Sequence, residues 1–558
     1  MPRFDQTADL STLLKLARRE PLFLRHLGHL RQRSDVGRLG FALGAGISEQ
    51  AGVPMWGELI ERLYKHYGDE GVPDRYKKDG HPATMTAQFI YNRFKAARLA
   101  KVRYEPNPAI IPIAIQNEWY RYIHDAIYRD VPSLDIIAEK HPYLAELAYL
   151  LFNASFCLTL NFDDILDSLA DRIIVEGSSR DRPNVIWRPP TIDRPNSCVT
   201  YHVNGYLPRS AGAKRSEVVV LTEDSFASVQ LSPNPQDSEY LMSRVASSTL
   251  LVIGASFEDP SLRSLFYAAA RRNPASFNYC LQHDADVDET NVRSPEREDR
   301  RTLNRDMYNI ITYFVTKAEI SSIVRALCLG PEDFVQLTRQ IADEAGSEGS
   351  LSHYYVVGSV SSGKSSLIER LRGFRTFEEW PETPLELMFK DSKSLSPEET
   401  KQVDAWVQKQ LAKKNELMRS AKYGIYIMDR APLDMFAFSK AADENIQKAR
   451  RLGVAVGADG LQGGGVILLS AKAEVLFERQ VRRGRGPEWL EDAAYKEEEL
   501  VAQGRKIQTI YGLAASLDTS RLSADEVART AAERILFGEY TPVDMGKRRA
   551  DFEGGEVL

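Results

Sequence analysis

Four short segments in the first half of this 558-residue chain carry residue types whose spacing suits chemistry on a phosphorylated ligand. Phe41–Ser48 reads FALGAGIS, an apolar run entering a glycine-rich turn, and Ala51–Trp56 (AGVPMW) follows it. Gly44 and Gly46, with Ala45 between them, let the backbone approach a pyrophosphate, and amides of the next helical turn can face its charge. Ser48, Pro54 and Trp56 are counted with this loop. The third glycine of the ordinary dinucleotide fingerprint is missing, so the turn alone is a weak signal. Three segments downstream strengthen it: Thr159–Asp164 (TLNFDD), Tyr201–Gly205 (YHVNG) and Leu251–Phe257 (LVIGASF). Asn161, Asp163 and Asp164 after a strand also suit helix capping, the plainer role.

The second half holds a more specific pattern. Gly358–Ser365 reads GSVSSGKS directly after the apolar run His353–Val357, which is the P-loop pattern in full. Its amides, from Gly358 through Ser361, Ser362 and Gly363, surround phosphates; Lys364 reaches the terminal phosphates. Ser365, followed by Ser366, offers a hydroxyl to Mg²⁺. Asp429 and Arg430 end a second apolar run, Tyr423–Met428, and a basic cluster, Arg479–Arg485 (RQVRRGR), closes a helix. A solvated basic helix end is the bland reading of Arg482, Arg483 and Arg485. Glu378 and Glu379 read as an exposed acidic turn.

These residues need elements to hold them. Residues 8–34 read as a helical lead-in, 38–48 as a strand and turn, and 56–67 as the helix after it. Residues 68–108 read as an irregular helical insertion, and 112–152 as two helices with Pro142 in the first turn of the second. Strands are expected from Phe156 and at 184–187, 198–203, 217–221, 249–253 and 309–315, with a helix at 317–328. Strands alternating with helices predict an α/β fold with a parallel sheet covered on both faces. After the P-loop strand the same alternation recurs: strands at 423–428, 466–470 and 517–520, and helices from Pro432 and Ser523. Ser523 and Glu526 have capping-box spacing. The expected domains are a lead-in (1–34), a nucleotide-binding domain (35–330), a linker (331–350), a P-loop domain (351–539) and a tail (540–558).

Composition bounds the reading further. A formal net charge of −6 argues against a general nucleic-acid binder. No apolar run is long enough to span a bilayer, and no secretory signal is evident. Cys157, Cys198, Cys280 and Cys328 have no pairing or zinc-ribbon spacing, which fits a reducing cytoplasm and no zinc site.

Taken together, the four segments of the first half resemble the SIR2 (sirtuin-like) domain, in the zinc-less branch found in bacterial antiphage defence proteins that destroy NAD. The resemblance spans about residues 35–325. It implies NAD⁺ as substrate, with Asn161 beside the nicotinamide ribose and Asp163 as polar support. It also implies adenosine contacts from Gly254, Ser256 and Phe257. Members of that family end the next strand in His-Gly, where histidine is the base; here the position is Asn204. Asparagine does not titrate near neutrality. Either the base is missing from this chain, or His202, two residues earlier, replaces it.

Residues 351–537 resemble thymidylate and deoxynucleoside kinases. That resemblance implies ATP or a deoxynucleotide as ligand and Asp429 handling Mg²⁺ or the acceptor proton. Arg430 would hold a phosphate, and Arg482 and Arg485 would sit on a closing lid. The joint expectation is a defence effector that hydrolyses NAD⁺, sensed through the kinase-like half, triggered by a phage protein or phage-altered nucleotide, and assembled as a homo-oligomer. The alternative is a nucleoside or nucleoside monophosphate kinase with a regulatory NAD-binding domain.

Overall fold

Runs such as Leu39–Leu43 (β1) and Thr249–Ile253 (β5) are buried at every position. Such continuity suits strands covered on both faces, the condition of an all-parallel sheet. The computed structural model describes residues 6–65, 82–102, 109–173, 183–188, 198–210, 212–231, 235–255, 257, 259–389, 395–439, 442–457, 460–483 and 493–555. The chain forms two units: Met1–Leu13 with Arg33–Ala269 and Asn278–Gly330, and Leu14–Gln32 with Ala270–Phe277 and Pro331–Leu558.

The first unit carries a seven-stranded parallel sheet, ordered β3-β4-β2-β1-β5-β6-β7. Its further strands are β2 (Cys157–Thr159), β3 (Asn184–Ile186), β4 (Val199–His202), β6 (Asn278–His283) and β7 (Ile310–Val315). Phe41 of β1 lies between Cys157 and Leu251 in register. The chain runs from β1 to one side of the sheet, then returns across it to β5 on the other side. The carboxyl ends of β1 and β5 therefore form a topological switch point, where open α/β sheets bind ligands. Phe156, Leu158, Leu250, Val252, Phe266 and Cys280 pack into one cluster against this sheet.

Several expectations need correcting here. Residues 217–221 are not a strand; the segment covers the sheet's end, with Val220 N bonded to Asn204 O at 2.7 Å. The sheet position is taken by β6, which the sequence reading did not place. Residues 110–151 form three helices, Ile110–Tyr128, Leu134–Lys140 and Pro142–Leu151. Ser133 caps the middle one, and Pro142 does open the last.

The second unit has a five-stranded parallel sheet, β12-β11-β8-β10-β9. The strands are β8 (Leu351–Gly358), β9 (Arg375–Phe377), β10 (Gly424–Asp429), β11 (Gly465–Ser470) and β12 (Leu517–Asp518). β8 is central, so the loop after it lies at this sheet's switch point. The helix Phe23–Asp35 is polar in sequence yet mostly buried in this unit. Many of its polar groups find partners: Arg25 donates to the carbonyls of Ile535 and Gly538 and pairs with Glu348, while the His26 and His29 rings bond the carbonyls of Leu536 and Gly373. That is the condition under which polar groups tolerate burial. The stretch 331–350 opens with the helix Pro331–Ala345, and 540–558 includes the helix Met545–Gly554 with Met545 and Phe552 buried. No helix of the described residues is long and apolar enough to cross a membrane.

Candidate functional site

At the first switch point, two glycine turns close on each other. Gly44 N bonds Ile253 O, and Gly46 N bonds Gly254 O, each at 3.0 Å. A Cβ on Gly44 would stand 2.4 Å from Gly254 O, and Gly254 itself has φ of +68°. Ala45–Ile47 and Glu49–Ala51 are short 3₁₀ turns, so the expected helical amides come in two tight steps. Pro54 is buried and Trp56 half-buried, its ring 6.0 Å from that of Phe162.

Ser48 joins this loop to the asparagine segment. Asn161 Nδ2 donates to Ser48 Oγ at 3.3 Å, and Ser48 Oγ donates to Asp163 Oδ1 at 3.1 Å. Ile165 N also donates to Asp163 Oδ1, at 3.2 Å, so Asp163 holds the first amide of the helix Ile165–Arg172 while supporting Ser48. Burial raises the Asp163 carboxyl to about 6. With its nitrogen committed to Ser48, Asn161 is left with Oδ1 buried and, among the described residues, without a hydrogen-bond partner. Such an acceptor costs about 1–3 kcal/mol until a donor reaches it.

His202, at the end of β4, is 1% exposed. Its Nδ1 lies 2.9 Å from Asn161 O, and its Nε2 lies 3.0 Å from Asp167 Oδ2. Burial disfavours the charged ring, but Asp167 and the carbonyl of Asn161 outweigh it and raise the pKa. Both ring nitrogens are thus engaged in hydrogen bonds. Asn204 lies beyond the strand, in the turn, where Nδ2 donates to Leu160 O at 3.1 Å. Phe257 is half-buried and packs its ring on Phe266 and Tyr308. Ser256 lies outside the described residues.

In the second unit the segment expected as a P-loop, Gly358–Ser365, links β8 to the helix Lys364–Arg370. Gly358 and Gly363 have φ of +154° and +101°, and a Cβ on Gly358 would collide with Leu469 O. Ser361 holds φ of +64°, a strained value for a residue with a side chain. Lys364 is buried, with Nζ 2.9 Å from both Gly358 O and Ser359 O, and burial lowers it to about 8. Ser365 Oγ donates to Asp429 Oδ2 at 3.3 Å, while Asp429 Oδ1 is buried and unpartnered. Mg²⁺ is commonly held by one or two carboxylates plus phosphates and water, and this donor set fits it. Among the described residues, no group of three or more His, Cys, Asp or Glu side chains stands ready for a metal.

Beside Asp429, Arg430 adopts φ of +67° and donates Nε to Glu379 Oε1 at 2.5 Å. Glu379 is thus paired and partly buried, contrary to the exposed acidic turn expected. Lys414, buried on the helix Pro397–Arg419, bonds the carbonyls of Glu379 and Asp429. Asp434, raised to about 6 by burial, accepts from Tyr511 at 2.7 Å. The helix expected from Pro432 is a 3₁₀ turn, Asp434–Phe438, because Arg430 reverses the chain at the strand end. Ser366, Arg479 and Arg482 line a cleft of about 290 Å³ with Ser362, Gly363 and Thr519. Arg479 bonds Thr519 twice, at 2.9 and 2.8 Å, whereas Arg482 is exposed and paired to Glu478. Arg485 lies outside the described residues. Arg479, Thr519, Lys414 and Asp167 were absent from the sequence-based site; only the basic run around Arg479 hinted at any of them.

The fold defines two α/β units, each built on a parallel sheet. Residues 155–309 match the SIR2-like domain family, which points to an NAD-related activity. No curated protein matches the chain. Among solved structures, a crystal structure of the NadR protein in complex with NAD and AMP-PNP is similar over 54% of this chain and 82% of that one, at 14% identity and a TM-score of 0.25.

Proposed function

We propose that the first unit binds NAD⁺ and cleaves it to ADP-ribose and nicotinamide, and that the chain is an antiphage defence effector. In this reading the second unit binds ATP or a deoxynucleotide with Mg²⁺ and regulates the first. The observation that supports it is Asn161 Oδ1, a buried acceptor with no partner among the described residues, inside the segment that matches the SIR2-like family. A ribose hydroxyl or the attacking water is the donor it lacks.

Breaking the bond between nicotinamide and ribose passes through an oxocarbenium-like state. The site must exclude bulk water, hold the ribose and admit one nucleophile. Asn161, oriented by Ser48 and Asp163, would place that nucleophile, while the Gly44–Gly46 turn would receive the pyrophosphate. Asn204 cannot accept the proton, so this chain is proposed as a base-deficient form that retains binding. A changed nucleotide pool or a phage protein would act as trigger on a homo-oligomer in the cytoplasm.

The test follows nicotinamide release from the chain and from Asn204→His, with and without ATP, deoxynucleotides or phage lysate. If the histidine variant releases none under every trigger, the reading fails. A second reading, phosphoryl transfer to a nucleoside or nucleoside monophosphate, is favoured by the Arg430–Glu379 pair beside Asp429. Transfer from ATP that disappears in Lys364→Ala would select it.

A further inference from the structure

We infer that Asp167 and His202 form a buried positioning pair that fixes the backbone of Asn161, a role that rests on the NAD⁺-cleaving reading. Asn161 is gripped from two directions. Ser48 holds its side-chain amide, and His202 holds its main-chain carbonyl. A carbonyl only accepts, so Nδ1 must carry a proton. The partner of Nε2 is a carboxylate oxygen, which also accepts. The ring thus donates at both nitrogens, as an imidazolium matched to the Asp167 carboxylate. Side-chain exposures of 1% for His202 and 8% for Asp167 keep water from competing.

The pair ties three elements together. His202 ends β4, Asp167 sits in the first turn of the helix Ile165–Arg172, and Asn161 follows β2. Tyr206 closes the remaining side of the ring, edge-on at 4.7 Å. The other ionisable groups acting on His202 and its pair include Asp163, the Tyr206 hydroxyl and the buried thiols of Cys157 and Cys198. Removing one partner of a buried charge pair strands the other. The consequence lands on the peptide of Asn161, which is where an error in placing the nucleophile costs rate.

The experiment uses the full chain labelled with ¹⁵N-histidine, with His202→Gln to assign the signal. Both His202 ring nitrogens are expected to be protonated at neutral pH in the parent. In Asp167→Asn only Nδ1 should be, because the new amide donates to Nε2. In the Asn204→His background, Asp167→Ala should lower kcat by about 10- to 100-fold with KM within about threefold. Asp167→Asn, which keeps the Nδ1 bond, should recover most of that loss. A singly protonated His202 in the parent, or full turnover in Asp167→Ala, overturns the inference and leaves NAD⁺ cleavage standing. If neither the parent nor Asn204→His binds NAD⁺ in calorimetry, the reading beneath falls and the inference with it. If Asp167→Ala does not fold, the labelled parent and Asp167→Asn still decide.

Discussion

Asn204 donates its side-chain amide to the carbonyl of Leu160 at 3.1 Å, the peptide immediately before Asn161. The nitrogen of an asparagine amide and Nδ1 of a histidine are both attached to Cγ. A histidine at 204 would make the same bond through Nδ1–H, and that bond selects the tautomer whose Nε2 is an unprotonated base. Asn204→His is therefore expected to raise NAD⁺ cleavage by about 10²- to 10⁴-fold, the range of a positioned general base. Nicotinamide release by chromatography measures it. Asn204→Gln, which supplies no base, should give no gain.

The closure between Gly44 and Gly254 makes a steric prediction. An alanine at 44 drives its Cβ to 2.4 Å from Gly254 O and 2.6 Å from Ala255 Cα, both backbone atoms that cannot swing aside. Gly44→Ala should cost on the order of 1–3 kcal/mol and weaken NAD⁺ binding. Gly57→Ala has nothing within 4 Å of the new Cβ and serves as control. Denaturant midpoints of the two variants compare them directly. Equal midpoints would contradict the packing.

Asp163 gives the folded state a pH dependence whose sign can be worked out. Its folded pKa, about 6, lies above the ordinary aspartate value of 3.8, so the native chain holds this proton where the unfolded chain has lost it. The stabilisation this confers is complete below about pH 4 and disappears as pH rises through about 6. Two units correspond to on the order of 3 kcal/mol. Relative to the parent, Asp163→Asn should gain stability between about pH 4 and 6 and level off above. Thermal unfolding of both proteins across that window tests it, and parallel curves would count against a buried neutral carboxyl.

Both sheets were legible in the sequence wherever an apolar run met a glycine turn. β1 with Gly44, β5 with Gly254 and β8 with the P-loop are cases where local pattern and tertiary role agree. The capping box at Ser523 and Glu526 is likewise closed in the structure, because both partners lie within one turn. Residues 217–221 failed because an apolar run (Val218–Leu221) reports burial, and a covering segment is buried as well as a strand. The missed site residues share one property: their partners are far away in sequence. His202 meets Asp167 across 35 positions, Arg479 meets Thr519 across 40, and Arg430 meets Glu379 across 51. No window of local sequence contains both members of such a pair. Asn161 escaped that limit because its neighbours form a contiguous motif.

Lys364 carries the last prediction. Buried against the carbonyls of Gly358 and Ser359, its ammonium is lowered to about 8, so the ligand-free loop is cationic below that pH and loses charge above it. Phosphate binding requires the charged form. Affinity for Mg²⁺-ATP should therefore be flat below about pH 8 and weaken by up to about tenfold per unit above it, until the bound-state pKa is reached. Lys364→Ala removes hydrogen bonds to a charged group worth about 1.5–3 kcal/mol, or roughly 10- to 150-fold in affinity near neutrality. That variant should also lose the alkaline weakening, since the titrating group is gone. A fluorescent ATP analogue titrated from about pH 7 to 9.5 reads both effects. An alkaline limb that persists in Lys364→Ala would assign it to another group and remove Lys364 from the phosphate site.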